Sequence, residues 1–585
     1  MANTNLHEIR LVGLGVSPGI ARGPLLLGED VFDAPEREEI ESDQIIAELE
    51  RFELGLETTR QQLEALREQI DQQAGAEHAA IFDAHLLMLD DQAILEEVRQ
   101  KIKKSPEKAE GAYYGVMSRY VQMLRKIKDD YLRERTLDIE DVARRVVRNL
   151  SGQAHIAVHD RPHILLVREL TPSVAGSVDR TKVLGLVTEV GSHTSHGAIL
   201  ARSMGIPTVV GLHDVCNKLH TGEDGLVDGY QGLFILNPSE DTLSAYEITR
   251  RQKNALDRHL AEMRDEPAVT TDGLKIILSA NIEFSHEMQQ VMEVGAQGVG
   301  LYRTEFFYLN REGFPSEMEQ AANYAAVAAA AGPQGAIIRT LDIGGDKLHH
   351  MHTGLEESNP FLGWRGIRVS LTEAEIFKTQ LRAILRASTS GKLRIMFPMI
   401  SGIGELRAAR HVLEDCQLEL ISQQIPFDQK IEIGCMIEVP SAAIMADALA
   451  REVDFFSIGT NDLIQYTIAV DRGNERVADL YQPCHPALVR LMKSVADTAR
   501  HHGIWTGICG EMASDIRLTP LLVGLGIEEL SVAPVQLPSV KYAIRKLDSE
   551  YCARMVEDCL KIADGEKIYD RVRETALQFY PELLA

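Results

Sequence analysis

The first regularity along the chain repeats every seven residues. Ile45, Leu49, Phe52, Leu56, Thr59, Leu63, Leu66 and Ile70 step by four and three in turn, and the positions between them are mostly charged or polar. That spacing predicts a long helix with one apolar seam. Helical patterns continue over about 79–103, stopped by Ser105-Pro106, and then over 109–127 and 138–149. Four helices with short connections predict a helical bundle. Ahead of it, residues 10–28 are apolar and punctuated by Gly15, Ser17-Pro18-Gly19 and Gly23, which reads as a short β hairpin.

Residues 153–238 change character. Short apolar runs at 164–167, 183–187 and 226–229 predict strands, with one helix between the last two. With the N-terminal hairpin they form a compact α/β unit that the bundle interrupts. Residues 240–266 are charged on most faces and read as a linker helix. Beyond them, apolar strand candidates fall at 275–281, 298–302, 336–342, 393–399, 432–438, 454–459, 504–509 and 528–533, with helical patterns in between. Eight β/α repeats predict a (β/α)8 TIM barrel. The expected organisation is multidomain α/β. Residues 1–32 with 151–239 form an α/β domain, 33–150 the inserted bundle, 240–266 the linker helix and 267–585 the barrel.

Composition narrows the function classes. The 585 residues are 45% hydrophobic and 25% charged, ordinary for a globular protein too long for one core. Lys plus Arg number 61 against 87 Asp plus Glu, a net charge of −26, which argues against nucleic acid as a main partner and suits a small basic protein. The seven cysteines are scattered without a CxxC pair, so neither a disulfide framework nor a zinc ribbon is indicated. No apolar signal core opens the chain and no apolar run approaches membrane-spanning length, so a cytoplasmic protein without membrane insertion is expected.

The C-terminal ends of the barrel strands carry distinctive polar residues: Arg303-Thr304-Glu305, Arg339 with Asp342 to Lys347, Glu438, Asn461-Asp462 with Arg472 ten residues on, and Cys509-Gly510-Glu511. Barrel enzymes place their chemistry at these ends. Arginine offers planar paired donors to carboxylate and phosphate oxygens. Three arginines around Glu438 and Asp462 point to one small polyanion and a divalent metal, since hard carboxylate oxygens suit Mg²⁺. Singly, each of these residues also reads as a solvated or capping group. Cys509 at a strand terminus is either packing or a proton donor. Upstream, residues 191–202 read Gly-Ser-His-Thr-Ser-His-Gly-Ala-Ile-Leu-Ala-Arg after an apolar strand. A strand, a Gly/Ser turn and a helix start gather anionic oxygens. His196 there is either a phosphoryl acceptor or a solvated histidine on a polar helix start.

The motifs LYRTEF, RTLDIGGDK, NPFLGWRGIR, IEVPSA, IGTNDLIQYTIAVDR and GICGEMA, together with TSHGAILAR, resemble Enzyme I of the phosphoenolpyruvate:sugar phosphotransferase system over essentially the whole chain. The resemblance implies a helical bundle inserted in a swivelling phosphohistidine α/β domain, followed by a phosphoenolpyruvate-binding barrel that also forms a homodimer. It implies that His196 accepts the phosphoryl group through Nε2. Arg303, Arg339, Asn461 and Arg472 would hold phosphoenolpyruvate with Asp462. Glu438 and Asp462 would bind Mg²⁺. Cys509 would protonate the enolpyruvate carbon to give pyruvate, with Arg202, Lys347 and Asn359 in support. The phosphoryl group would pass to a histidine of HPr, a small carrier docked on the bundle. Residues 80–90, Ala-Ile-Phe-Asp-Ala-His-Leu-Leu-Met-Leu-Asp, resemble the family's carrier-docking helices.

Three departures stand out. Gly191-Ser192-His193 replaces Gly-Gly-Arg before Thr-Ser-His, and Ala175 stands where threonine is common. Leu348-His349-His350-Met351-His352 replaces the usual Leu-Pro-Tyr. Pyruvate phosphate dikinase and phosphoenolpyruvate synthase resemble the chain in part but add a nucleotide-binding domain, and no glycine-rich nucleotide loop is evident here. The nitrogen-regulatory form of Enzyme I, a phosphorelay protein with the same chemistry, usually carries an extra N-terminal sensory domain.

Overall fold

The computed structural model describes residues 8–28, 35, 38–74, 76–124, 130–152, 161–171, 174–175, 178–191, 201, 204–216, 218–309, 313–344, 359–471, 474, 477 and 480–584. The chain divides into two units, residues 1–254 and 255–585.

The first unit is built on an eight-stranded sheet in the order β1-β8-β7-β3-β4-β5-β6-β2. Its strands are β1 (Ile9–Val12), β2 (Leu14–Ser17), β3 (Ile20–Leu27), β4 (His163–Val167), β5 (Val183–Thr188), β6 (Thr208–Val210), β7 (Asp224–Asp228) and β8 (Leu233–Leu236). Strands β3 to β6 run parallel, and the remaining pairings are antiparallel.

The N-terminal hairpin expected from the sequence does not form. β2 pairs with β6 and β3 pairs with β4 and β7, although only Pro18-Gly19 separates β2 from β3. The physical reason is Pro18. A two-residue hairpin turn needs positive φ at its first position, and proline fixes φ near −65°. β1 and β2 instead sit at opposite edges of the sheet, joined through Gly13. The seam is tight: a Cβ on Gly229 would lie 2.0 Å from the Ser17 carbonyl oxygen.

Alternation along the strands gives the sheet two apolar faces. Leu25, Ile164, Leu166, Val187 and Phe234 share one cluster. Leu26, Leu165, Val167 and Leu186 point the other way, into a core shared with the bundle. The bundle helices are α1 (Ile45–Ala74), α2 (Ala76–Leu89), α3 (Gln92–Lys104), α4 (Ala109–Leu124) and α5 (Asp130–Ser151). The seven-residue seam packs inward as expected, with Phe52, Leu56, Thr59 and Leu63 buried. The single helix expected over 79–103 is two. Asp91 interrupts it, its side chain accepting the Ala93 and Ile94 amides at 2.9 and 3.3 Å as the N-cap of α3. Helix α6 (Glu240–Glu262) follows β8, with the Thr242 amide donating to Ser239 Oγ at 3.2 Å.

The second unit contains a closed parallel barrel of β9 (Ile277–Ile282), β10 (Val299–Arg303), β11 (Ala336–Arg339), β12 (Leu393–Phe397), β13 (Glu432–Ile437), β14 (Phe455–Gly459), β15 (Trp505–Cys509) and β16 (Glu529–Val532). All eight strands fall where the apolar pattern puts them. Helices surround the barrel and bury its outer face in one continuous core. The N-terminal end is plugged: Phe455 stacks on Trp505 at 4.6 Å and the Arg394 guanidinium lies over the same indole. The barrel interior is filled by Leu301, Ile337, Met396 and Met436. Polar chemistry is left to the C-terminal mouth.

Candidate active site

At that mouth the ladder sets two arginines side by side. Arg303 ends β10 and Arg339 ends β11, and the two are register partners. They line a cavity of about 350 Å³ with Glu305, Asp342, Arg365, Glu438, Asn461, Asp462 and Cys509. Each guanidinium is held by a carboxylate. Arg303 Nη1 donates to Glu283 at 2.8 Å, and Arg339 Nη2 donates to Glu305 at 2.6 Å. Arg339 Nη1 also lies 3.2 Å from Asp342. Burial pushes the Glu283 and Glu305 carboxyls up from the usual range, against the pull of Arg303 on the first and Arg339 on the second. Arg339 Nε is buried without a hydrogen-bond partner. Arg339 lines the cavity, and a buried guanidinium there suits an anionic oxygen.

Arg365 enters from the loop after the short helical turn Pro360–Leu362. It donates to both oxygens of Asp342 and to both oxygens of Asp462, and its Nη1 reaches Tyr466 Oη at 3.2 Å. The next residue makes this approach possible. Gly366 has φ +59°, and a Cβ there would lie 2.7 Å from Met399 and 3.0 Å from Asp342 Oδ1.

Asp342, Glu438 and Asp462 each present an oxygen within 4.8 Å of the others. Glu438 is 1% exposed. Its Oε1 accepts the Met399 amide at 2.5 Å, while Oε2 is buried with no hydrogen-bond partner. Met399 makes that contact from a left-handed backbone, φ +56°, which is uncommon for a non-glycine residue and marks local strain beside Glu438. Burial, reinforced by Asp462 and Asp342, pushes Glu438 up to about 8. An orphaned, buried carboxylate oxygen beside two further carboxylates fits a hard divalent cation, whose charge would relieve the repulsion among them.

Cys509 ends β15 at 3% exposure. Ser457 Oγ donates to its sulfur at 3.2 Å. Burial, opposed by that hydrogen bond, pushes the thiol up to about 11, so it stays protonated at neutral pH. Asn461 is steadied by Glu511, with its Nδ2 donating to the carboxylate and its Oδ1 accepting the Glu511 amide, both at 3.1 Å.

Of the residues expected from sequence, Arg303, Arg339, Glu438, Asn461, Asp462 and Cys509 line one cavity. Asn359 is exposed and precedes the Pro360–Leu362 turn, and it is not among the lining residues. His196, Arg202, Lys347 and Arg472 lie outside the described residues, as do Ser192, His193 and the 348–352 run. Ala175 is buried, and its amide donates to the Thr171 carbonyl. Thr171 in turn donates through Oγ1 to Asp141 of α5 at 2.9 Å. Three charged lining residues were not assigned a role from sequence: Glu305, Asp342 and Arg365. The first two stand at strand ends already marked as polar. The signal for Arg365 was its place in the NPFLGWRGIR motif.

Comparison with known proteins agrees with this geometry. Residues 257–549 match the family model described as PEP-utilising enzyme, PEP-binding domain. Residues 12–135 match PEP-utilising enzyme, N-terminal, and residues 159–232 match PEP-utilising enzyme, mobile domain. The phosphoenolpyruvate-protein phosphotransferase of Listeria monocytogenes is 40% identical over 96% of this chain and 99% of its own length. Those of Haemophilus influenzae and Staphylococcus carnosus are each 40% identical over 97% of this chain and 99% of their own. A (β/α)8 mouth lined with arginines, carboxylates and a thiol, and relatives alike over nearly their full length, place the chain in the phosphoenolpyruvate-protein phosphotransferase family, Enzyme I.

Proposed function

We propose that this phosphotransferase loads itself on His196 from phosphoenolpyruvate bound in the barrel cavity, and then passes the phosphoryl group to HPr. The observation that carries the reading is the register pair Arg303 and Arg339, joined by Arg365 over three carboxylates and a buried thiol in one cavity of about 350 Å³. That volume suits a small ligand. Phosphoryl transfer asks mainly for positioning and charge stabilisation, which such a cavity supplies.

In this reading Arg303, Arg339 and Arg472 hold the phosphate and carboxylate oxygens, with Asn461 and Arg365 completing the polar wall. Glu438 and Asp462 would hold Mg²⁺, with Asp342 beside them. When bound, the cation would neutralise charge on substrate oxygens. Among the described residues five carboxyls, Glu283, Glu305, Asp342, Glu438 and Asp462, face three guanidinium groups, which is why a polyanion needs a cation there. The His196 Nε2 lone pair forms the N–P bond as the P–O bond to the enol oxygen breaks. The enolate then takes a proton at its methylene carbon from the Cys509 thiol, giving pyruvate.

The α2 helix supports docking of a small basic carrier. Leu87 is 76% exposed, while Phe82, His85 and Leu89 of the same helix are buried. Asp83 and Asp90 are exposed and paired with Arg67 and Arg60. No helix among the described residues is long and apolar enough to cross a membrane. A cytoplasmic homodimer held through the barrel completes the proposal. Incubation with labelled phosphoenolpyruvate, Mg²⁺ and a panel of histidine-bearing carriers tests it. Transfer to an HPr-type carrier is expected, and a labelled protein that hands phosphate to no carrier would end the relay reading.

A further inference from the structure

Beneath the ends of β10 and β11 lies a buried polar network whose side chains are not among those that line the cavity. Its centre is Gln380, 1% exposed, on the helix Ala374–Ala387. Gln380 Oε1 accepts the Leu341 amide at 2.9 Å, and Nε2 donates to Thr304 Oγ1 at 3.1 Å and to Tyr324 Oη at 3.3 Å. Thr304 Oγ1 in turn donates to the Arg339 carbonyl at 2.9 Å.

The positions of these contacts carry the argument. The β10–β11 ladder ends at Arg303 and Arg339. Thr304 sits between Arg303 and Glu305. Leu341 sits two residues after Arg339 and one before Asp342. Where strand pairing stops, one glutamine amide takes over and ties the segments that follow the two strands together. The far end is anchored: Tyr324 Oη and Tyr308 Oη both donate to Gln320 Oε1, at 3.1 and 2.8 Å. Burial pushes both tyrosine hydroxyls up, so they remain donors. Both Gln380 Nε2 protons, the Thr304 hydroxyl and both tyrosine hydroxyls have an acceptor, and a buried network so satisfied holds its members to a single geometry.

We propose that Gln380 is a positioning residue for the phosphoenolpyruvate site, fixing the separation of Arg303 and Arg339 and with it the pitch of the anion clamp. The inference rests on the cavity reading above. Misplacing a substrate clamp by a fraction of an ångström is felt in binding and rate long before the fold is lost.

The test compares Gln380→Leu, Gln380→Glu and Thr304→Val in the full chain, measuring both half-reactions. For Gln380→Leu the KM for phosphoenolpyruvate should rise at least tenfold, while phosphoryl exchange between the labelled protein and HPr, which does not use the barrel cavity, stays within twofold of the parent. Gln380→Glu, keeping the shape and an acceptor for the Leu341 amide, should recover part of the loss. Thr304→Val should shift KM in the same direction even if the leucine variant folds poorly, and the double variant should be less than additive. An unchanged KM in both Gln380→Leu and Thr304→Val, or an equal loss of both half-reactions, overturns the proposal. Arg339→Ala separates it from the reading beneath it: an unchanged KM there refutes the cavity assignment whatever Gln380 does.

Discussion

Arg365 grips Asp342 side-on, with Nε donating to Oδ1 at 3.3 Å and Nη2 to Oδ2 at 3.0 Å. The same guanidinium extends to Asp462, so one planar group spans two carboxylates at the cavity wall. Lysine keeps the charge but cannot span both. Arg365→Lys is expected to lower kcat/KM for phosphoenolpyruvate by about a hundredfold, the scale of a misplaced clamp. Arg365→Ala should in addition destabilise the barrel by about 3–5 kcal/mol, because it strands buried carboxylates. Steady-state pyruvate release and denaturant unfolding check the two effects. A lysine variant within twofold of the parent would remove Arg365 from the site.

Cys509 separates phosphoryl transfer from pyruvate formation. Cys509→Ala should still load phosphate at a measurable rate while protonation of the enolate falls further behind. Rapid-quench measurement of phosphoprotein and of pyruvate within one turnover distinguishes the two. Equal loss of both would assign the thiol to packing. Its pH behaviour follows from burial. The folded value of about 11 lies above that of a free thiol, so folding favours the protonated form. That contribution is complete below the unfolded value and is lost as pH rises toward 11. Alkylation of Cys509 should stay slow through neutral pH and accelerate only in that alkaline window.

Glu438 sets the metal response. Glu438→Gln keeps the shape but removes the charge that a hard cation needs. The parent should melt later in millimolar Mg²⁺ or Mn²⁺, because a ligand bound only by the folded state stabilises it. The glutamine variant should lose that shift. A retained shift would place the cation elsewhere.

Asp91 accounts for the break between α2 and α3. Replacing it by alanine removes an acceptor for two helix-start amides and should cost about 1 kcal/mol. Chemical denaturation of the 1–254 unit within the full chain reads this, and the phosphoenolpyruvate KM should not move.

The barrel was legible because each strand is a short apolar run set between helical patterns, and an apolar run of that kind follows from burial on both faces. The α1 seam was legible for a similar reason, since Phe52, Leu56 and Leu63 all turn inward. Pairing partners were not. Pro18 forbids the hairpin that apolar runs on either side of it suggest, and no local pattern says that β2 crosses to β6. The short strands β6 and β8 passed unnoticed because three or four residues carry little periodicity. Glu438, Asp462 and Cys509 could be chosen from strand ends. Arg365 lies in a loop, and its role follows from the fold bringing two carboxylates to it. Gln380 sits mid-helix among apolar neighbours, where a lone glutamine gives no sign that it serves two distant strand ends.

The central claim is that His196 carries the phosphoryl group between cavity and carrier. The most direct measurement is phosphosite mapping by mass spectrometry after incubation with phosphoenolpyruvate and Mg²⁺, on the parent and on His196→Ala. A phosphohistidine at 196 in the parent and none in the variant is the expected result. Phosphate retained by His196→Ala, above all at His193, would contradict it.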